Sequence, residues 1–203
     1  MGKNYQLICD EQIKELTNGG KIPSLLLHSC CGPCSSYVLE YLSRFFCVTV
    51  AFFNPNIYPE KEYTKRLEAQ REIIDKMPVC NRVQLLEMPY NHQSFLTSVK
   101  GLESEKEGGK RCIECFGLRL FETAKTAKKH GFDCFTTTLS VSPHKNAEFL
   151  NKIGEEAENI FGVKYLASDF KKREGYKRSI ELSREYNLYR QRYCGCEFSM
   201  ERD

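Results

Sequence analysis

Three groups of closely spaced cysteines are the part of this sequence most able to do chemistry. They are Cys30-Cys31-Gly32-Pro33-Cys34, Cys112-Ile113-Glu114-Cys115 and Cys194-Gly195-Cys196. Two Cys-x-x-Cys pairs separated by a long interval are typical of a metal site, and a zinc ion with four cysteine ligands is the first alternative. The three groups hold seven thiols, more than one tetrahedral ion uses. An iron–sulfur cluster takes four thiolates and would leave three for a second metal or for a dithiol. The spacing does not choose between these alternatives.

The first cysteine group lies between two segments of opposite character. An apolar run, 22–27, precedes it and a helix-like segment, 35–42, follows it, so a buried strand ends and a helix begins at the thiols. The unpaired N–H groups and partial positive charge of a helix N-terminus favour thiolate. Gly32 and Pro33 suit the tight turn between the two elements. We expect the rest of the chain to be a scaffold that brings the three groups together.

The cysteine content also bears on the compartment of the protein. The N-terminus is polar and has no signal-peptide pattern, and no apolar run approaches the ~20 residues of a membrane span. These features predict a cytoplasmic protein without a membrane segment, in which thiols stay reduced and bind metal or do redox work. The remaining cysteines, Cys9, Cys47, Cys80 and Cys134, are expected to be small buried apolar side chains.

Strand-like and helix-like segments alternate along the chain. The predicted strands are 22–27, 47–53, 83–88, 134–138 and 163–166, and the predicted helices are 11–16, 35–45, 60–77, 112 onward, 147–161 and 174–188. This alternation predicts an α/β fold with a Rossmann-like, doubly wound, mostly parallel sheet and a helical C-terminal extension. Ligands of such sheets gather beyond the carboxyl ends of the strands, where the first cysteine group would lie.

We expect residues 1–203 to form a single α/β domain. Its sheet core would span 22–166, and the segment 167–203 would supply a basic helix and the Cys-Gly-Cys tail that completes the site. Residues 89–111 are expected to be a loose cover, and Arg66 to be exposed on its helix. The sequence has no phosphate-binding glycine motif, which gives no support for a bound nucleotide cofactor.

Positive charge is concentrated just before the last cysteine group. The formal net charge of the chain is +3, whereas the segment 171–192 has eight Lys or Arg against three Glu. A basic segment beside a redox site suggests a polyanionic substrate. The alternative is a solvated helix face with ion pairs such as Glu174 with Arg178 or Glu181 with Arg184.

Five motifs together resemble the QueH family of cobalamin-independent epoxyqueuosine reductases, which act on tRNA. They are His28-x-Cys30-Cys31-Gly32-Pro33-Cys34, Phe53-Asn54-Pro55-Asn56-Ile57-x-Pro59, Arg111-Cys112-x-x-Cys115-Phe116, Ser142-Pro143-x-Lys145 and Tyr189-Arg190-Gln191-x-Tyr193-Cys194-Gly195-Cys196. Family members usually carry Ala at the position of Gly32 and often Tyr at that of Phe116. Neither difference changes a thiol.

The resemblance implies two neighbouring cofactor sites. A [4Fe-4S] cluster would be held by Cys30, Cys31, Cys112 and Cys115. Cys34, Cys194 and Cys196 would form a second, catalytic site that holds a mononuclear iron, since some relatives have Asp at the position of Cys34. A redox-active Cys194–Cys196 disulfide is the competing role for the tail, because a Cys-x-Cys disulfide closes a short, strained ring.

The implied reaction is the reduction of epoxyqueuosine to queuosine at the wobble position of tRNA, the last step of queuosine biosynthesis. It needs two electrons from an external donor, two protons and a Lewis acid that polarises the C–O bond. His28, Tyr193 and Asp169 are candidate proton donors. His28 could instead orient the loop, Tyr193 could stack, and Asp169 could cap a helix.

The implied partner is a tRNA that carries epoxyqueuosine in its anticodon loop. Predicted tRNA contacts are Lys172, Arg173, Lys177, Arg178 and Arg190. Tyr58 or Tyr189 could stack on an unpaired base, whereas Tyr176 is expected in the core. One alternative function is a zinc-stabilised RNA-binding module without redox chemistry. Another is a thiol–disulfide or sulfur-transfer enzyme, which would depend on ATP.

Overall fold

The computed structural model describes residues 3–200 and contains one parallel β-sheet within them. Its strands are β1 (Ser24–His28), β2 (Cys47–Phe52), β3 (Val83–Glu87), β4 (Cys134–Thr137) and β5 (Lys164–Tyr165). The helices are α1 (Tyr5–Leu16), α2 (Gly32–Leu42), α3 (Glu60–Lys76), α4 (His92–Ser98), α5 (Lys110–His130), α6 (Ala147–Phe161) and α7 (Gly175–Glu185). The predicted α/β, Rossmann-like fold is confirmed.

The strand order, β3-β2-β1-β4-β5, puts β1 in the centre of the sheet. Leu25 of β1 is in register with Val48 of β2 on one side and with Cys134 of β4 on the other. The chain winds outward first through β2 and β3, and later through β4 and β5. The carboxyl end of β1 is therefore the point at which the winding direction changes, and parallel sheets leave a crevice for ligands there.

Alternate residues of β1 pack into different helical layers. Leu26 is buried with residues of α5 and α6. Leu25 and Leu27 are buried with residues of α2 and α3. Since successive side chains of a strand point to opposite faces, helices cover both faces of the sheet. Phe170 and Leu188, from the predicted C-terminal extension, lie in the α2 layer.

Three local expectations differ from the structure. The segment 89–111, expected to be loose, contains α4, because Phe95 is fully buried and Asn91 caps the helix. Helix α1 begins at Tyr5, six residues before the predicted start, because the side chain of Asn4 accepts from two backbone N–H groups there. Cys47 and Cys80 are exposed, whereas Cys9 and Cys134 are buried as predicted. Among residues 3–200, no helix is both long enough and apolar enough to cross a membrane.

Candidate thiol-lined metal centre

The first cysteine group converges at the carboxyl end of β1. The Sγ atoms of Cys30, Cys31 and Cys34 all lie within 4.8 Å of one another, and those of Cys30 and Cys31 are 3.8 Å apart. Cys31 is the N-cap of α2, so the three thiols bracket the start of that helix. Within residues 3–200, no other three His, Cys, Asp or Glu side chains bring their ligand atoms so close. This group could hold a metal ion.

Helix α3 fixes the turn that carries these thiols. A Cβ atom on Gly32 would lie 2.4 Å from the carbonyl oxygen of Ala69, so the start of α2 packs directly on the α3 backbone. Ser29 donates a hydrogen bond of 2.6 Å to Oε1 of Gln70. Glycine at position 32 thus permits an approach between two helices that a larger residue would prevent.

His28 ties together the ends of three strands. It is fully buried, its Nε2–H donates to the carbonyl oxygen of Phe53 at 3.1 Å, and its Nδ1 accepts from the hydroxyl of Thr137 at 2.9 Å. Burial lowers the pKa of His28 to about 3, so the ring is neutral. Both ring nitrogens are engaged in hydrogen bonds within the protein, which favours the expected alternative, that His28 orients the loop, over a role as proton donor.

A cavity of about 540 Å³ lies beyond the carboxyl ends of β1, β2 and β4. Six of the seven grouped thiols line it: Cys30, Cys34, Cys112, Cys115, Cys194 and Cys196. The remaining thiol, Cys31, is buried against Cys30. Segments more than 70 residues apart in the chain therefore deliver their thiols to one cavity. Cys34, expected in a second site, shares its close sulfur group with Cys30 and Cys31, two of the expected cluster ligands.

The side chain of Arg66, which was expected on the surface, holds the backbone beside the C-terminal thiols. Arg66 is only 1% exposed, which contradicts the expected exposure. Its Nε donates to Glu62 at 2.8 Å, and its two terminal nitrogens donate to the carbonyl oxygens of Cys194 at 3.0 Å and Tyr193 at 3.1 Å. The signal that could have revealed it is spacing, since Arg66 follows Glu62 by one helical turn and shares a face with buried residues of α3.

Gly195 lets the tail pass close to this arginine. Its φ of +105° is a conformation that L side chains rarely adopt, and a Cβ atom would lie 2.9 Å from Ile57. The carbonyl oxygen of Gly195 accepts from the backbone N–H of Tyr58 at 2.9 Å. The backbone between Cys194 and Cys196 is thus fixed on both sides.

Two of the grouped thiols favour the thiolate form. Hydrogen bonds from Cys31 and Cys34 hold the pKa of Cys30 well below its usual range, whereas the same contact raises the pKa of Cys31 to about 12. In the tail, a hydrogen bond from Cys196 lowers the pKa of Cys194, and the hydroxyl of Ser199 lies 3.1 Å from its sulfur. Thiolate is the form that binds metal.

Cationic side chains surround the thiols. Those that line the cavity are Arg66, Arg111, Arg119, Lys145, Arg190 and Arg192. Arg111 and Arg119 are 2% and 3% exposed, and neither pairs with a carboxylate in the described part of the chain. Burying a charge is costly unless another charge compensates it, so the neighbouring thiolates are the natural counter-charge.

The donor set fits a metal–sulfur group. All the cysteines are free thiols, and soft thiolate ligands select zinc or iron–sulfur clusters. Two buried side-chain oxygens on the cavity wall, Oδ1 of Asn56 and Oε1 of Gln191, have no hydrogen-bond partner among residues 3–200. Unpartnered buried acceptors are rare in native proteins and indicate that the cavity receives a polar ligand or water.

The predicted tRNA contacts have mixed surroundings. Three of them hold carboxylates: Arg173 pairs with Asp10 at 2.5 Å, Lys177 with Glu174 at 2.9 Å, and Arg178 with Glu40 at 2.7 Å. At the start of α7 the local pairs are Lys177 with Glu174 and Arg178 with Glu181. Such short-range pairing was the alternative to tRNA binding, although it was expected between other partners. Lys172 makes no ion pair with a described residue, and Arg190 lines the cavity.

The three candidate tyrosines are all at least partly accessible. Tyr58, Tyr189 and Tyr176 are 44%, 38% and 36% exposed. The expectation that Tyr176 belongs to the core is therefore wrong. The centre of its ring lies 5.9 Å from the guanidinium carbon of Arg190, and both residues line the cavity.

Comparisons with known proteins extend over almost the whole chain. A family model described as epoxyqueuosine reductase QueH matches residues 25–202. The epoxyqueuosine reductase QueH of Staphylococcus epidermidis is 42% identical over 200 residues, 97% of this chain and 84% of that protein. That of Streptococcus pyogenes is 43% identical over 198 residues, 97% of this chain and 78% of that protein. That of Thermotoga maritima is 39% identical over 186 residues, 87% of this chain and 90% of that protein.

Proposed function

The chain belongs to the QueH family of epoxyqueuosine reductases, and we propose that it reduces epoxyqueuosine to queuosine at the wobble position of tRNA. It is thus an oxidoreductase of queuosine biosynthesis, and we propose that it acts in the cytoplasm, where thiols stay reduced. The observation that supports the proposal is that thiols from three distant segments of the chain line one shared cavity.

The proposed reaction removes the epoxide oxygen as water and leaves an alkene. Both C–O bonds of the epoxide break, and the substrate takes up two electrons and two protons. The electrons come from an external donor. Of the three proton donors suggested by the sequence, Tyr193 is the one that lines the cavity, where its hydroxyl donates to the carbonyl oxygen of Tyr58.

We propose that the thiols hold two inorganic groups. Cys30, Cys31, Cys112 and Cys115 would ligate a [4Fe-4S] cluster, and Cys34, Cys194 and Cys196 a mononuclear iron. When bound, the cluster would supply electrons singly and the iron would act as a Lewis acid toward the epoxide oxygen. The low pKa values of Cys30 and Cys194 support one ready thiolate in each of the two sites.

The remaining side chains prepare the cavity. Arg66 fixes the backbone of the tail thiols, and the buried Arg119 adds positive charge beside Cys30. Gln191 donates to the sulfur of Cys31 at 3.1 Å. The cavity volume suits one base turned out of the anticodon loop, as enzymes that modify bases require.

Lys172, Arg173, Lys177, Arg178 and Arg190 remain the proposed tRNA contacts.

Anaerobic reconstitution with iron and sulfide tests this function. We expect a brown protein with about four irons for the cluster and about one more for the second site. With a chemical reductant, it should convert epoxyqueuosine in tRNA to queuosine, seen by mass spectrometry as the loss of one oxygen. A Cys80→Ser protein is the control, because Cys80 is exposed and outside the cavity. A colourless, zinc-containing protein that binds tRNA without reducing it would instead indicate the zinc-stabilised RNA-binding module.

A further inference from the structure

The mouth of the thiol cavity has positive charge without a matching carboxylate. Glu107 is the one carboxylate residue among the lining residues in the described part of the chain. Arg66 is already paired with Glu62, and Arg111 and Arg119 are buried. Three cations remain that solvent or a ligand can reach: Lys145, Arg190 and Arg192.

These three cations come from two segments that the fold brings together. Lys145 lies in the loop between β4 and α6, is half-buried, and lowers the pKa of Cys30 and Cys194. Arg190 and Arg192 flank Gln191, which reaches the sulfur of Cys31. The guanidinium of Arg190 is oriented by the ring of Tyr176 and by a 3.3 Å hydrogen bond to the hydroxyl of Ser183. Contacts within the protein therefore hold the guanidinium of Arg190 at the cavity.

The basic segment 173–178, which leads into helix α7, is different. Arg173, Lys177 and Arg178 each hold a carboxylate of the protein, at 2.5 to 2.9 Å. A phosphate that approached one of them would have to compete with that carboxylate. None of Lys145, Arg190 and Arg192 makes an ion pair with any residue of 3–200. An incoming phosphate would not have to displace a carboxylate of the protein from these three cations.

We propose that Lys145, Arg190 and Arg192 form an anion subsite that binds a backbone phosphate of the nucleotide being reduced. The inference rests on the proposed function. A base that enters the cavity stays joined through its ribose to a backbone phosphate, which must then lie at the cavity mouth. Phosphate contacts fix the register of a nucleic acid on a protein. The subsite would thus determine which base reaches the thiols.

Single charge-neutralising variants test the subsite. Binding of epoxyqueuosine-containing tRNA is measured from low to high salt for Lys145→Gln, Arg192→Gln and the unmodified protein. We expect each variant to reduce the slope of log K against log salt by about 1 and to weaken binding at low salt. Lys129→Gln is the matched control, because Lys129 is exposed at the far end of α5 and outside the cavity.

The outcomes separate the subsite from the proposed function. If both cavity variants bind tRNA with the salt slope of Lys129→Gln while the unmodified protein reduces its substrate, the subsite is wrong and the function stands. If the unmodified protein neither binds nor reduces the tRNA, the function fails first. Iron content and circular dichroism show whether each variant folds. Because Arg192 is exposed, Arg192→Gln should fold even if Lys145→Gln does not.

Discussion

Neighbouring side chains decide which cysteines of this protein ionise. Cys30 has a lowered pKa because Cys31 and Cys34 donate hydrogen bonds to it, and Cys34 has a raised pKa because it donates one of them. Cys134, far from other thiols, has a raised pKa because of burial. A helix N-terminus alone, which the sequence pointed to, does not separate these residues. The distinction depends on which sulfur lies against which donor.

At the residue scale, Cys194→Ala tests the two-site proposal. We expect the reconstituted protein to keep its broad visible absorption and about four irons, because the proposed cluster ligands are intact. Turnover on epoxyqueuosine-containing tRNA should fall by at least about tenfold, since the second site loses a thiolate. Cys112→Ala is the comparison and should lose the absorption as well. Full iron content together with full turnover in Cys194→Ala would contradict the proposal.

At the element scale, α3 contributes no thiol and yet positions two of the three thiol groups. Through Gln70 and Ala69 it supports the turn at the start of α2. Through Arg66 it holds the C-terminal tail. Because an α-helix is stiff over this length, the two groups are fixed relative to each other by one element.

Removing the Arg66 side chain should release the tail. In Arg66→Met, the buried Glu62 loses its ion-pair partner and keeps only the hydrogen bond from the hydroxyl of Tyr189. We expect a loss of about 3 kcal/mol in the free energy of unfolding. Alkylation of Cys194 in the metal-free protein, followed by mass spectrometry, should become faster. Arg71→Met is the control, because Arg71 and Glu87 form an exposed pair worth at most about 1 kcal/mol. An unchanged alkylation rate in Arg66→Met would show that other contacts hold the tail.

The contact between α2 and α3 predicts that alanine at position 32 is unfavourable in this protein. Gly32→Ala would put a Cβ atom 2.4 Å from a backbone oxygen, so the helices must separate. We expect a loss of about 1–3 kcal/mol in urea unfolding, more than the gain of up to about 1 kcal/mol in helix propensity.

The control for this substitution is Gly117→Ala in α5. Its Cβ atom would meet only the ring of Phe121, at 3.9 Å, so the substitution should be neutral or stabilising. If Gly32→Ala proved as stable as the unmodified protein, the two helices would have to be separable at little cost.

At the scale of the whole molecule, Asp10 joins both ends of the chain to the core. It accepts hydrogen bonds from Tyr41 of α2 at 2.8 Å and from Arg173 of the C-terminal segment. Burial acts to raise the pKa of Asp10, but these contacts and one from Gln6 outweigh it and lower the pKa. The carboxylate is therefore favoured in the folded state.

The depressed pKa predicts a pH dependence of stability. The contribution of Asp10 is present above its unfolded pKa of about 4 and is lost as pH falls through the lower folded value. Asp10→Asn should therefore be less stable than the unmodified protein at pH 7, and the difference should shrink on acidification. Urea unfolding of both proteins from pH 7 to about pH 3 measures it. A difference that stays constant over this range would mean that Asp10 does not titrate with folding.

Much of the fold could be predicted because its signals are local. The bounds of β2 and α6 were predicted to within one residue. A strand buried on both faces leaves a continuous apolar run, and a helix buried on one face leaves apolar residues at helical spacing. Helix α4 was missed because its buried residues, such as Phe95, pack on Cys115 and Cys196, which are remote in the chain.

The sequence alone determined the three thiol groups, the α/β class and the family, because all three reside in residue types and their spacing along the chain. Only the tertiary structure decided that Arg66 is buried, that Cys34 lies with Cys30 and Cys31, and that Lys145 and Arg190 line the same cavity. The physical reason is that burial, ionisation and charge pairing depend on neighbours in space. For these residues, most of those neighbours are tens of positions or more away in the chain.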